Sequence, residues 1–188
     1  LLDAFVERGG TRIDTARVYS DWIPGERGRS ERIIGDWMRL RGNRGRISIA
    51  TKGGHPPLGR MRHARMSPRD IRSDLEASLR ALRADAVDVY YVHRDDPARP
   101  AAEIVETLEG FVREGLVRAY ACSNWNAGRI REAMTYARDH GCRGFAESQV
   151  LWNIGSRSMK QPPDTTMKVM DDDLLELHRA TGIAAVSY

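Results

Sequence analysis

The regular alternation of helix-spaced stretches with short apolar runs is the feature of this sequence that most restricts its fold. The helical stretches carry apolar residues at intervals of three and four, whereas runs such as "VDVYYV" at 87–92 are too short for a typical helix. Six helices and six strands are predicted in alternation, beginning with a helix and ending with a strand. Repeated units of this kind predict a parallel sheet packed against helices.

The clearest helix is predicted in the stretch "SPRDIRSDLEASLRALRA" at 67–84. Ser67 is its predicted N-cap, Pro68 occupies the first helical position, and Asp70 completes a pattern similar to a capping box. Its buried face is predicted from the spacing of Ile71, Leu75, Leu79 and Leu82. Ser30 is the predicted N-cap of an earlier helix, "SERIIGDWMRL".

The composition indicates one soluble folded domain spanning residues 1–188. Apolar residues make up 41% and charged residues 30%, which excludes a disordered chain and is ordinary for a globular protein. No apolar run approaches the roughly 20 residues of a membrane span, and the first residues lack the pattern of a signal peptide. We therefore expect a cytoplasmic protein with no membrane partner.

Charge and cysteine placement argue against nucleic-acid binding and against a metal site. The net charge is only +4, the arginines are spread along the chain, and basic residues do not interleave with aromatic ones. The two cysteines, Cys122 and Cys142, lie in different predicted elements and have no metal-type spacing. Reduced thiols and no nucleic-acid partner are expected.

Polar side chains follow the predicted strands at their carboxyl ends, which parallel strands bring to one face. In chain order they are Asp14, Lys52, His93, Ser123 with Asn124, Gln149 or Asn153, and Tyr188. One polar residue at each strand end is typical of a barrel with its active site at that rim. An open sheet would concentrate ligand groups at one switch point, and no G-x-G-x-x-G follows any strand. The fold class predicted is α/β, as a (β/α)8 TIM barrel.

Each candidate site residue, taken alone, also fits a structural role. Asp14 is a common turn former, Tyr19 an ordinary half-buried aromatic, and Lys52 a surface residue with a buried stem. His93 suits a hydrogen-bonded core position, and Asn124 and Gln149 suit loop backbone. These interpretations do not explain why an acid, a base, a phenol and an imidazole converge on one rim. Lysine is also rare here, with only three in the chain, so a lysine at a strand end favours function.

The four groups form a specific chemical hypothesis. A phenol has a reference pKa of about 10, so Tyr19 exchanges protons near neutrality only if a cation such as Lys52 favours its ionised form. Asp14 would keep a buried Lys52 charged, and His93 would orient a carbonyl oxygen. Such a site suits protonation of an oxygen during carbonyl reduction. No side chain delivers a hydride, so a cofactor is required.

Six motifs, in this order and spacing, resemble the aldo-keto reductase superfamily. They are "GGTRIDTARVYSDW", "RSERIIGDWM", "ISIATKGG", "DLEASLRALRADAVDVYYVHRDD", "EGLVRAYACSNW" and "ESQVLWN". The resemblance covers essentially the whole chain and implies a (β/α)8 barrel that interconverts carbonyls and alcohols with NAD(P)H, more often NADPH than NADH. It implies a catalytic tetrad of Asp14, Tyr19, Lys52 and His93, with Tyr19 as proton donor.

The resemblance also implies cofactor-binding residues. Ser123, Asn124 and Gln149 match positions that hold the nicotinamide carboxamide, and Tyr188 matches an aromatic residue that stacks on the nicotinamide ring. Relatives that serve as ion-channel accessory subunits typically lack the histidine, so His93 favours a working reductase. Two alternatives stay open: a cofactor-binding sensor or regulatory subunit with little turnover, and a remnant without function.

The length implies a partial barrel. A (β/α)8 barrel takes roughly 250 residues, whereas this sequence has 188. We expect the first barrel strand to precede Leu1, and the seventh helix, eighth strand and eighth helix to follow Tyr188. The oligomeric state is not predicted.

Two long loops after strand ends are expected to define the substrate, a small carbonyl compound whose identity the sequence does not give. They are "GGHPPLGRMRHARM" at 53–66 and "IGSRSMKQPPDTTMK" at 154–168. His55 and His63 in the first loop are predicted to be surface residues rather than metal ligands. Arg94 either meets an anionic substrate or forms a salt bridge with Asp95, Asp96 or a helix end.

Overall fold

The computed structural model describes residues 1–155 and 162–188, so the predicted loop at 154–168 lies partly outside the described residues. Within that part, the alternation of six helices and six strands is confirmed. The helices are α1 Leu2–Glu7, α2 Arg29–Arg41, α3 Pro68–Leu82, α4 Ala101–Arg113, α5 Ala127–Asp139 and α6 Asp172–Thr181. The strands are β1 Arg12–Asp14, β2 Ser48–Gly53, β3 Val87–Val92, β4 Val117–Ser123, β5 Glu147–Val150 and β6 Ala184–Ser187.

The strands form one parallel sheet in the order in which they occur along the chain, from β1 to β6. Each strand is hydrogen-bonded to the next strand in the sequence, and a helix connects the two. The order of the described strands therefore never reverses, and the sheet they form has no switch point. The sheet also curves: Arg12 on β1 reaches Glu147 on β5, with Nη1 and Oε1 2.6 Å apart, although three strands separate them. This architecture is that of a partial (β/α)8 barrel and confirms the predicted fold class.

The two faces of the sheet carry different cores. Tyr90 and Val92 pack on the helix side, where the Tyr90 hydroxyl donates to the carbonyl of Ile71 at 3.1 Å. Val89 and Tyr91 face the barrel interior and belong to a small separate cluster. The interior cluster is small because the inner face also carries the polar side chains described below. Alternation along each strand therefore separates packing on one face from candidate chemistry on the other.

Helix α2 begins differently from the prediction. Its N-cap is Gly28, with φ of 56°, and Ser30 lies in the first turn. The prediction that Ser30 caps this helix is wrong because Asp21 accepts the Gly28 N–H at 2.7 Å and fixes the entry of the chain. The Ser30 hydroxyl lies 2.8 Å from that of Thr15 instead.

Strand β5 is shorter than the predicted run "GFAESQVLWN". It covers Glu147–Val150, since Gly144 adopts a φ of 76° before the strand and Asn153 accepts the N–H of Gly155 in a turn after it. Asn153 therefore lies beyond β5, whereas Gln149 lies within it. Both cysteines are free, as expected, and Cys122 is buried. None of the helices in 1–155 and 162–188 has the length and apolar character that crossing a membrane requires.

Replacing Ser67 with alanine is expected to destabilise the fold by about 1 kcal/mol. The predicted cap is confirmed: the Ser67 hydroxyl accepts the N–H of Asp70 at 3.1 Å, and Pro68 is the first residue of α3. The measurement is urea unfolding followed by circular dichroism. Ser73→Ala is the matched control, because Ser73 is exposed on the same helix, and it should change stability little. Equal effects of the two substitutions would contradict the capping role.

Candidate active site

Lys52 lies at the centre of the candidate site. It is fully buried on β2, and its Nζ donates to Asp14 Oδ2 at 2.5 Å and to the carbonyl of Thr15 at 2.8 Å. The Tyr19 hydroxyl is 3.4 Å from the same atom. The register explains this meeting: Asp14 ends β1 opposite Ala50, so Lys52, two residues farther along β2, reaches over the end of the shorter strand.

Burial disfavours the charged form of Lys52, and neighbouring groups stabilise it. Burial lowers its pKa, and the carboxylate of Asp14 opposes that shift through charge and a hydrogen bond. Two aromatic rings also face the cation, Tyr19 at 5.0 Å and Tyr91 at 5.6 Å from ring centroid to Nζ. These contacts are those expected if Asp14 keeps Lys52 charged.

Tyr19 is brought to the rim by the turn after β1. The N–H of Arg17 donates to the Lys52 carbonyl at 3.0 Å, and the N–H of Tyr19 donates to Ala16, so the turn follows the end of β2. The pKa of Tyr19 is raised to about 12, chiefly by burial and then by the charge of Asp14. Tyr19 therefore keeps its proton at neutral pH. The proposed role of Lys52, to favour the ionised phenol, stays a prediction.

His93 follows β3 and faces the same point. Its backbone N–H donates to the Gly53 carbonyl at 2.8 Å, and its ring meets the Tyr19 ring edge to face, with 5.9 Å between centroids. Its pKa is lowered well below the usual range by burial, and the charge of Arg94 adds to that shift. His93 is therefore neutral near pH 7. Its Nδ1 is buried and has no hydrogen-bond partner within the described residues.

The remaining candidates lie at the ends of β4, β5 and β6. Asn124 adopts a φ of 63°, and its amide makes four contacts inside the protein. Its nitrogen donates to the His93 carbonyl at 3.3 Å and to the Ser123 hydroxyl at 3.0 Å, while its oxygen accepts from the Lys168 N–H at 3.0 Å and the Tyr188 hydroxyl at 2.7 Å. Asn124 is thus hydrogen-bonded to four other residues. Ser123, Gln149 and Tyr188 instead line a cavity at the rim.

A cavity of about 210 Å³ opens at this rim. Five of the eight predicted site residues line it, namely Tyr19, His93, Ser123, Gln149 and Tyr188. Of the other three, Lys52 and Asn124 contact lining residues directly. Asp14 is linked to the cavity wall only through Lys52. All eight candidates therefore lie at or directly behind the wall of one space, with a protonated phenol and a neutral imidazole on that wall.

The structure adds His55 to the site, which the sequence interpretation placed on the surface. That prediction is wrong: His55 is half-buried and its ring packs against His93, with 4.8 Å between centroids. His63, from the same loop, is exposed as predicted. The sequence does contain a signal for the placement of His55. His55 lies only three residues beyond Lys52, and the two prolines that follow it limit the path of the chain, which keeps it near the rim.

Arg94 also differs from its predicted surroundings. Its Nε donates to the Thr166 hydroxyl at 2.9 Å, and Nη2 lies 3.4 Å from Asp164. Asp95, one of the partners proposed from sequence, pairs with Arg129 instead. Arg94 is buried at the cavity wall and joins the end of β3 to the loop that precedes α6. The partner was missed because it lies 70 residues away in the chain.

Comparisons with known proteins agree with this geometry. The profile of the aldo/keto reductase family matches residues 1–188. Norsolorinic acid reductase B of Dothistroma septosporum is 32% identical over 100% of this chain and 45% of its own length. Aryl-alcohol dehydrogenase (NADP+) of Phanerodontia chrysosporium is 33% identical over 86% of this chain and 43% of its own length.

Among solved structures, a thermostable aldo-keto reductase in complex with the inhibitor epalrestat superposes with a TM-score of 0.74 at 26% identity. That match covers 100% of this chain and 58% of the solved one. The chain belongs to the aldo-keto reductase family. It spans less than half the length of the curated relatives described above.

Proposed function

We propose that the protein reduces the carbonyl group of an aldehyde or ketone to an alcohol, with NADPH as the reductant. The observation that carries this proposal is the contact of a buried Lys52 with both Asp14 and Tyr19, beside a neutral His93, at the wall of one cavity. Members of the family with similar sequences include a reductase and an NADP+ dehydrogenase. We also propose that residues 1–188 belong to a single domain and that the protein is cytoplasmic.

The residues around the cavity fit a nicotinamide group. A carboxamide needs both a donor and an acceptor, and the Ser123 hydroxyl and the Gln149 amide supply both at the cavity wall. The Tyr188 ring lines the same wall and offers a surface for stacking. Because the Asn124 amide is fully occupied by its four protein contacts, we propose that it acts by holding Ser123 and Tyr188 in place. When bound, the cofactor supplies the hydride that no side chain provides.

The proton is proposed to come from Tyr19. As negative charge develops on the substrate oxygen, a phenol held protonated at the cavity wall donates to it. Lys52, 3.4 Å behind the phenolic oxygen, stabilises the phenolate that remains. Asp14 keeps that ammonium in place. These roles make Tyr19 and Lys52 the largest contributors to turnover.

His93 is proposed to donate a hydrogen bond to the same oxygen. Its Nδ1 is buried without a partner in the described part of the chain, and a buried acceptor without a partner costs less than a buried N–H without one. The tautomer with the proton on Nε2 is therefore favoured, and Nε2 is the nitrogen left for the cavity. A neutral ring serves this purpose because it orients the carbonyl without competing for the proton.

The test of this function is a spectroscopic assay of the purified protein with NADPH and a panel of small aldehydes and ketones. Consumption of the reduced cofactor that depends on the carbonyl compound is the expected result. The same assay with NADH should be slower if the preference for NADPH holds. Tight cofactor binding with no consumption across the panel would contradict a reductase and favour the sensor.

A further inference from the structure

His55 stands between two cavities at the barrel rim. It lines the 210 Å³ cavity together with Tyr19 and His93, and it also lines a neighbouring cavity of about 680 Å³. The second cavity extends over the turn after β1. Val18 and Leu58 also line both cavities, so a ligand that extends from the reaction cavity into the second one passes a boundary formed by these residues and His55.

The backbone that carries His55 is firmly held. Arg65 donates to the His55 carbonyl at 3.3 Å and, through two hydrogen bonds of 2.9 and 2.8 Å, to the carboxylate of Asp74. The same carboxylate accepts the N–H of Gly54 at 2.9 Å. The ring then packs edge to face on His93. These contacts fix the position of the imidazole before any ligand binds, which is what a specificity-determining group requires.

The hydrogen-bonding character of the ring is also fixed. Nδ1 lies 2.6 Å from the Pro56 carbonyl oxygen, which only accepts, so Nδ1 carries the proton and Nε2 is an acceptor. Burial lowers the pKa of His55, which keeps the ring neutral near pH 7. His55 lines the cavity beside His93, and Nε2, the nitrogen that Pro56 does not engage, is an acceptor that does not become a donor at that pH.

We propose that His55 selects carbonyl substrates that carry a hydroxyl group, by accepting a hydrogen bond from that hydroxyl at Nε2. This specificity role rests on the proposed reductase function. The two imidazole rings are neighbours on the cavity wall, with 4.8 Å between their centroids, so the hydroxyl is expected several ångströms from the carbonyl oxygen that His93 orients. A hydroxyl in the meta position of an aromatic aldehyde satisfies that separation, whereas a methoxy group there offers no donor.

The test compares 3-hydroxybenzaldehyde with 3-methoxybenzaldehyde as substrates of the purified protein with NADPH. We expect kcat/KM to be about tenfold higher for the hydroxyl compound, the effect of one hydrogen bond made in a confined site. His55→Leu should reduce that ratio to about one, and His55→Gln, which keeps an acceptor, should restore part of it. The matched control is His63→Leu, from the exposed part of the same loop, which should leave the ratio unchanged.

Two outcomes would overturn the proposal: a wild-type ratio near one, or a ratio that survives in His55→Leu. The role of His55 remains testable if neither aldehyde is reduced, because the panel assay described above decides the reductase function separately. In that case the dissociation constants of the two aldehydes are measured by calorimetry in the presence of NADP+. Tighter binding of the hydroxyl compound that is lost in His55→Leu supports the role of His55, and equal binding refutes it.

Discussion

Replacing Tyr19 with phenylalanine is expected to lower kcat for carbonyl reduction by about 10²- to 10⁴-fold, the contribution typical of a positioned general acid. Phenylalanine keeps the ring that packs on His93 and removes only the hydroxyl. The proton must then come from water in a cavity whose remaining groups still orient the carbonyl. The measurement is the steady-state rate of NADPH consumption at saturating aldehyde, together with the dissociation constant of NADPH from a fluorescence titration.

The dissociation constant of NADPH should change little in Tyr19→Phe, because the residues proposed to contact the cofactor lie on β4, on β5 and just after β6. Tyr136→Phe is the matched control. Tyr136 lies on the outer helix α5, where its ring stacks on His140, and it does not line the cavity. The Tyr136→Phe substitution also removes one phenolic hydroxyl, and it should leave kcat unchanged. Turnover of Tyr19→Phe within a factor of about two of wild type would show that the proton comes from another group.

Replacing Lys52 with methionine is expected to lower kcat by about 10²- to 10³-fold, the loss typical of removing one preorganised electrostatic group. Without the ammonium, the phenolate that Tyr19 becomes when it donates loses the cation nearest to its oxygen. The melting temperature should be maintained or rise, since Lys52 is fully buried and a methionine of similar length avoids burying a charge. Asp14, whose side chain is 37% exposed, then reaches water.

Asp14→Asn provides the contrast to Lys52→Met. It leaves Lys52 buried without its carboxylate, so both the melting temperature and kcat should fall, since an uncompensated buried charge is costly. Circular dichroism melts and the NADPH assay give both quantities for each variant. A loss of stability in Lys52→Met equal to that in Asp14→Asn would contradict the interpretation that Lys52 is retained for chemistry rather than for folding.

The barrel and the meeting of the strand-end residues at one rim could be predicted from the sequence for a physical reason. Side chains alternate between the two faces of a strand, and parallel strands with helical connections bring their carboxyl ends to one rim. Asp14, Lys52 and His93 each stand where an apolar run ends, so their meeting follows from topology alone. The resemblance to a known family then assigned roles that topology could not.

The parts that the sequence did not predict depend on contacts distant in the chain. Ser30 has the residue type of an N-cap, yet Asp21 fixes the chain entry at Gly28. Arg94 finds Asp164 across the rim, and His55 is turned inward against His93. The direction of the Tyr19 pKa shift depends on burial and on neighbouring charges, which are known only once the chain is folded.

The central claim is that Tyr19 transfers its proton to the substrate oxygen in the same step that reduces the carbonyl. Stopped-flow measurement of a single turnover, followed by the absorbance of NADPH in H₂O and in D₂O, tests it most directly. We expect a slower single exponential in D₂O for the wild type and no comparable phase in Tyr19→Phe. Equal rates in the two solvents, together with a phase that persists in Tyr19→Phe, would contradict the claim.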